Sequence, residues 1–177
     1  MKHSMPKLLT TTVLALAAGA ANAGVDLYSA SLFGANECTA GGVCGVGDPD
    51  GWGASTVMID NLTNLVSWQI LAFGIDASTA AHIHAAPAGT NGPVIIDFSN
   101  TFSGSVTDID AASITPGSAA NFYVNVHNPI YPGGAIRGQL TYLSTVNPPI
   151  PEPGTYALML AGLGMVGWMA RRRRGAA

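Results

Sequence analysis

Residues 122–127 read Phe-Tyr-Val-Asn-Val-His and residues 136–140 read Ile-Arg-Gly-Gln-Leu, and these two segments decide the fold. In each segment apolar and polar side chains alternate, which is the pattern of a β-strand with one buried face. The connecting residues 128–135 contain Pro-Gly-Gly, a turn-forming sequence. The pattern therefore predicts an antiparallel hairpin whose two strands each carry a polar and an apolar face.

The rest of the central chain repeats this pattern. No long segment has apolar residues at the 3.6-residue spacing of a helix, and Gly- and Pro-rich turns separate the strand-like runs. Trp68 shares its apolar face with Val66 and Ile70 and is expected in the core. We therefore expect an all-β, antiparallel Greek-key β-sandwich, of the superoxide-dismutase-like or the immunoglobulin-like type. Its further strands are predicted at residues 25–33, 53–60, 65–73, 80–85 and 93–98, and the last strand of the hairpin is expected to extend to residue 143.

The N-terminus has the three parts of a secretory signal peptide. Lys2 and Lys7 form a positive region, residues 8–18 are apolar, and Ala21-Asn22-Ala23 is an A-x-A cleavage site. Signal peptidase is expected to remove residues 1–23. The domain that remains is predicted to span residues 24–147 in an oxidising compartment outside the cytoplasm.

The C-terminus, residues 148–177, combines three features in a fixed order. Pro151, Glu152 and Pro153 precede an apolar segment at 155–170, and Arg171, Arg172, Arg173 and Arg174 follow it. A helix over the apolar segment would be roughly 25 Å long, slightly short for a permanent membrane anchor, and the arginines would remain on the cytoplasmic side. This order resembles the PEP-CTERM sorting signals of Gram-negative bacteria. The resemblance implies processing near Pro-Glu-Pro by exosortase, a membrane-embedded protease, after transient anchoring of a transmembrane helix in the inner membrane. A plain tail anchor is the alternative.

The charge of the domain differs from that of the whole chain. Six of the seven basic residues lie in the two terminal segments, so residues 24–150 keep nine acidic residues and a single basic one, Arg137, for a net charge of −8. Such a domain repels phosphate backbones, which argues against nucleic acid as a partner. The charge is compatible with binding of divalent cations, and it also serves solubility.

Cys38 and Cys44 are the only two cysteines. In an exported protein their spacing favours a local disulfide, which would stabilise the fold by only about 2 kcal/mol because the closed loop is short.

All three histidines of the domain are expected on polar strand faces. His82 and His84 lie two residues apart, and His127 ends the first strand of the hairpin. Imidazoles on alternate strand positions can converge on one ion, so the three form a candidate zinc or copper site, with Asp97 or water as the fourth ligand. Arg137 could steer a small anion to such an ion. The alternative is a structural hydrogen-bond network made by these histidines with Asn125, Arg137 and Gln139.

Four segments together resemble the CHRD domain, a module named from chordin and found in bacterial exported proteins. They are residues 79–84, 89–94, 123–127 and 133–140. The resemblance covers roughly residues 25–145 and implies a β-sandwich that acts as a secreted or surface module, without a settled biochemical activity. Ala135 departs from the family pattern, which commonly has an acidic residue before Ile-Arg-Gly-Gln.

Three classes of function follow from these patterns. The leading one is a non-enzymatic, exosortase-processed module of the cell surface, outer envelope or extracellular matrix, with exopolysaccharide or other surface molecules as partners in a biofilm-like setting. The second is a copper- or zinc-dependent redox enzyme that uses His82, His84 and His127. The third is a metal-buffering or metal-sensing protein. The sequence favours a protein that is not an enzyme.

Overall fold

The computed structural model describes residues 24–147 and 153–174. The predicted signal peptide with Ala21 and Ala23, and the residues Pro151 and Glu152 of the sorting motif, lie outside these described residues.

Residues 24–147 form nine β-strands, as the alternating sequence predicted. The strands are β1 (Val25–Phe33), β2 (Trp52–Asp60), β3 (Leu65–Phe73), β4 (Ala80–Ala85), β5 (Val94–Asp97), β6 (Ser103–Thr107), β7 (Phe122–His127), β8 (Ile136–Gln139) and β9 (Thr141–Val146). Short 3₁₀ helices occur at Gly34–Asn36, Ile109–Ser113 and Ala119–Asn121. The all-β expectation is confirmed.

Every strand pairing among the described residues is antiparallel, in the order β5-β4-β7-β8-β1-β2-β3-β6, with β9 also paired to β1. The sheet curls so that two halves face each other across one core. We call β1, β2, β3 and β6 the open half-sheet, and β4, β5, β7 and β8 the covered half-sheet. The predicted hairpin is formed by β7 and β8, with Asn125 opposite Arg137.

Alternation along the strands builds the core. In β2 exposed and buried residues alternate from Trp52 to Ile59, because successive side chains point to opposite sides of the sheet. Trp68 is buried as expected and stacks on Phe98, with ring centroids 4.4 Å apart. Both half-sheets contribute to one continuous cluster of buried apolar side chains, including Leu32, Val57, Ile83, Val124 and Ile136.

Two details of the strands differ from the prediction. The expected strand at 136–143 is two strands, because the chain leaves β7 at Leu140 and continues as β9 along β1. Strand β6 was missed because its sequence, Ser-Gly-Ser-Val-Thr, has little apolar character, and its pairing with β3 gives it a strand conformation.

A helix, α1 (Pro153–Arg174), follows the domain and includes the predicted apolar segment and the arginine cluster. The sequence predicted that the apolar segment crosses the membrane. In the described parts of the chain, however, the length and apolar content of helices fall short of what a membrane crossing needs.

Candidate functional site

The candidate site lies on the outer side of the covered half-sheet, where strand parity places all three histidines. In the register of β4 against β7, His82 is opposite Asn125 and His84 is opposite Tyr123, while His127 is opposite Ala80. These side chains point away from the apolar core. Even so, His84, Tyr123, Asn125 and Arg137 are buried.

Three loops cover this polar face and account for the burial. The loop between β4 and β5 lies over Arg137, which bonds to its carbonyl groups. The loop closed by the Cys38–Cys44 disulfide is joined to it, because Asn91 Nδ2 donates to the Cys38 carbonyl at 2.7 Å. The loop between β7 and β8 closes the His127 end, where the Pro132 carbonyl lies 3.0 Å from His127 Nδ1.

The three imidazoles converge. One ring nitrogen from each of His82, His84 and His127 lies within 4.8 Å of the other two. The rings are close as well, with centroids 5.1 to 6.0 Å apart. The structure therefore brings together the three histidines that the sequence singled out.

Backbone carbonyls determine which nitrogens are available. His84 Nδ1 lies 3.0 Å from the Gly92 carbonyl, and His127 Nδ1 lies 3.0 Å from the Pro132 carbonyl. Since a carbonyl oxygen only accepts, both Nδ1 atoms carry the proton and both Nε2 atoms have a free lone pair. These two Nε2 atoms and Nδ1 of His82 are buried and have no hydrogen-bond partner within the described residues.

The electrostatics keep the rings neutral. Burial lowers the pKa of His84 to about 4, and the nearby His82, His127 and Arg137 charges lower it further, against the Gly92 carbonyl, which raises it. Burial also lowers the pKa of His82 and of His127. The lowered pKa values favour neutral rings, each with one N–H and one free lone pair, and neutral imidazole is the form that binds metal ions.

Asp97 does not join the three nitrogens. Its Oδ1 lies 3.8 Å from His82 Nε2, on the far side of the ring from the unpartnered Nδ1. The carboxylate is well exposed and raises the pKa of His82, opposing the effect of burial. At 3.8 Å the contact is electrostatic and not a hydrogen bond, and Asp97 is not among the residues whose ligand atoms converge, so its role as a fourth ligand stays a prediction.

Arg137 is buried, and its guanidinium donates to acceptors within the protein. Its guanidinium is 1% exposed and donates to Asn91 Oδ1 at 2.9 Å, to the Thr90 carbonyl at 2.8 Å, to the Pro87 carbonyl at 3.3 Å and to Gln139 Oε1 at 3.1 Å. Its Cζ atom also lies 3.4 Å above the centre of the Tyr123 ring. With these donors engaged, Arg137 holds the covering loop in place, and the anion-steering role stays a prediction from the sequence.

Tyr123 connects this arginine to the histidines. Its ring stacks on His84, with centroids 4.9 Å apart and planes 6° from parallel, so that Arg137, Tyr123 and His84 form one stack. The Tyr123 hydroxyl accepts from the Gly92 backbone N–H at 3.3 Å. The sequence-based site did not include Tyr123, Asn91 or Gly92, although all three lie in the segments that carry the family resemblance.

Glu37 is a further residue that the sequence did not indicate. It is almost fully buried at the start of the disulfide loop, and burial raises its pKa to about 7, while the Arg137 charge and the Cys38 backbone N–H lower it in part. Its carboxylate lies against Gly134, where a Cβ atom would have no room. Ala135, where the family commonly has an acidic residue, is fully buried. In this chain Glu37 supplies an acidic group whose pKa the Arg137 charge lowers. A loop position gives no periodic pattern, so no sequence signal indicated this burial.

The family assignment agrees with the all-β fold. The CHRD domain family matches residues 28–140, and the PEP-CTERM protein-sorting motif matches residues 149–174. The chain therefore belongs to the CHRD domain family and carries a PEP-CTERM sorting motif. This motif supports export, processing by exosortase and sorting to the surface in a Gram-negative bacterium. No curated protein and no solved structure matches the chain significantly.

Proposed function

We propose that this protein is an exported surface domain, residues 24–147, that holds one zinc or copper ion through His82, His84 and His127. Two observations support the proposal: one ring nitrogen of each histidine lies within 4.8 Å of the other two, and each histidine has one buried ring nitrogen without a hydrogen-bond partner within the described residues. A buried polar atom without a partner costs about 1–3 kcal/mol. Three such atoms at one point indicate a ligand that accepts all three lone pairs.

The donor set fits a borderline transition metal. Neutral imidazole binds zinc and copper well, and carbonyls on the outer nitrogens of His84 and His127 orient the rings, as in known histidine-metal sites. Tetrahedral zinc with bonds of about 2.0–2.1 Å places its ligand nitrogens about 3.4 Å apart. Small rotations of the side chains would bring the present nitrogens to that spacing.

The surroundings suggest a fourth position for a water molecule or a small ligand. Asn125 lies opposite His82, and its buried Oδ1 has no hydrogen-bond partner in the described part of the chain. This amide is placed to bond a water or small ligand on the ion.

A metal-dependent redox enzyme is the second candidate function. Catalytic zinc sites commonly have three protein ligands and one open position, and three histidines supply the same number of ligands. Copper would have to carry the electron in such an enzyme, because zinc has no redox chemistry. The leading proposal remains a non-catalytic module, because His84 is buried and His82 and His127 are half-buried, which limits the access of a substrate to the rings.

Processing at Pro-Glu-Pro would release residues 24–147 to the surface, the outer envelope or the extracellular matrix. Signal peptidase and exosortase are the partners during export. Zinc or copper buffering at the surface is the role that fits these properties best.

The test is metal content after export. The protein purified without chelator should contain about one zinc or copper per chain by elemental mass spectrometry, and the His84→Gln/His127→Gln double variant should contain almost none. Ser67→Ala, on the open half-sheet, is the control and should keep its metal. A wild-type protein that contains no metal and takes up neither zinc nor copper on titration would contradict the proposal. Turnover of superoxide that depends on the metal would favour the redox enzyme.

A further inference from the structure

A row of three exposed aromatic side chains lies on the outer side of the open half-sheet. Phe33 on β1 is opposite Trp52 on β2, which is opposite Phe73 on β3. They are 46%, 52% and 48% exposed. The rings of Trp52 and Phe73 stack, with centroids 4.5 Å apart. With a strand spacing of about 4.8 Å, the row extends about 10 Å across the sheet.

The rest of this face carries hydroxyl, amide and aliphatic groups. In the strand register the next rows are Ser31, Ala54 and Leu71; then Ser29, Thr56, Gln69 and Ser103; then Leu27, Met58, Ser67 and Ser105. None of these residues is charged. Asp60 has the same strand parity, but it lies at the far end, where its carboxylate accepts from the backbone N–H groups of Leu62 and Thr63 in the turn.

This composition is unusual for the surface of such an acidic domain. Residues 24–150 carry a net charge of −8, yet the face between Phe33 and Met58 has no charge. The inner side of the same strands already packs the core, so the three aromatic rings are not needed for folding. Exposed apolar patches with polar surroundings mark binding surfaces.

The charges narrow the choice of partner. A second copy of the domain would bring another −8 to the surface, and anionic polymers or lipids would be repelled in the same way. A purely apolar partner would leave the hydroxyl and amide groups without hydrogen bonds, which is unfavourable. A neutral, hydroxyl-rich polymer has neither disadvantage.

We propose that the uncharged face centred on Phe33, Trp52 and Phe73 binds a neutral polysaccharide. The flat apolar sides of the sugar rings would stack on the aromatic row, since rings of this kind supply large apolar contact area at low entropy cost. Ser31, Thr56 and Gln69 would bond the sugar hydroxyls. Phe33 is opposite Arg137 of β8, which is buried, so the face begins next to the covered half-sheet. It includes none of the three histidines, so the inference does not depend on the metal site.

Affinity electrophoresis tests this inference. The protein recovered after export would be run in native gels that contain hydroxyethylcellulose, galactomannan or dextran as neutral polymers, and alginate as the anionic comparison. We expect retardation by at least one neutral polymer and none by alginate. Trp52→Ala should weaken the affinity at least tenfold, whereas Trp52→Phe keeps a flat ring and should lose less than Trp52→Ala does. Ile109→Ala removes an apolar side chain that is 76% exposed elsewhere and should not change binding.

Several results would overturn the inference. These are the absence of retardation in all three neutral polymers, retardation by alginate alone, and equal retardation of wild type and Trp52→Ala. Sedimentation should give a monomer, and a dimer that is lost in Trp52→Ala would assign the face to self-association instead. Trp52→Ala removes the stack on Phe73, so its melting temperature should fall slightly, and that of Trp52→Phe should fall less. Because the core is untouched, both variants should remain folded in the gels, and a change in binding can then be attributed to the face.

Discussion

Replacing Arg137 with methionine should destabilise the domain by about 4 kcal/mol, within the range measured when one partner of a buried charged network is removed. Methionine keeps most of the apolar stem but none of the donors. The four acceptors that Arg137 now satisfies lie in or next to the covering loop, and two of them are the backbone carbonyls of Pro87 and Thr90. Each acceptor that stays buried without a partner costs about 1–3 kcal/mol. Four such acceptors would cost about 4–12 kcal/mol in total. Some of them will form hydrogen bonds with water instead, so the expected destabilisation lies near the lower end of this range.

Glu37 adds to the effect. The Arg137 charge lowers the pKa of this buried carboxyl, so its removal should move the pKa of Glu37 further above 7 and make the ionised form more costly. The destabilisation should therefore be larger at pH 8 than at pH 6. A group with a raised pKa loses its contribution to stability as the pH rises through the folded-state value.

Urea unfolding followed by the fluorescence of buried Trp68 would measure both effects. Arg137→Lys is the matched variant, because it keeps the charge near Glu37 and loses the planar fork that reaches several acceptors at once. It should therefore lie between wild type and methionine. A methionine variant within 1 kcal/mol of wild type at both pH values would refute the view that Arg137 holds the covering loop.

Two further predictions concern the histidines. A Cβ atom on Gly92 would clash with the Ala85 carbonyl, so Gly92→Ala should displace the Gly92 carbonyl that orients His84. Zinc affinity should then fall about 10–100-fold in a competitive titration. Gly117 has open space around it, so Gly117→Ala is the control and should leave the affinity unchanged. The lowered pKa values should also make zinc binding resistant to acid. Between pH 7 and pH 5.5 a site of three ordinary imidazoles would lose zinc affinity several hundredfold, but with the His84 pKa at about 4 the loss should stay below about seventyfold. A steeper loss of affinity would contradict the neutral, buried site.

The strands could be predicted because their pattern is local. Alternation in β1 and β3 gave their bounds, since each strand has one face in the core and one outside. The same parity indicated that His82 and His84 share a face. Strand β6 could not be found in this way, because its serines and threonine carry no apolar period and its strand conformation depends on pairing with β3.

The inner shell of the site could not be predicted for a different reason. The groups that orient His84 and His127 are backbone carbonyls, and every residue has one, so side-chain patterns hold no information about which carbonyl is used. The covering loops are placed by long-range contacts, such as that between Asn91 and the Cys38 carbonyl. Consequently the sequence predicted which residues share a polar face, but it did not predict that loops bury part of that face.

The difference between the two half-sheets has a physical consequence. Covering a polar face is unfavourable unless its groups find partners, and the fold provides four acceptors for Arg137. It leaves the inward nitrogens of three histidines without partners among the described residues, at the place where loops from three parts of the chain meet. A fold that needed only stability could fill this place with apolar side chains at lower cost. The three imidazoles, two of them oriented by loop carbonyls, therefore support the proposed metal site, and the metal content of the exported protein decides between that site and a structural network.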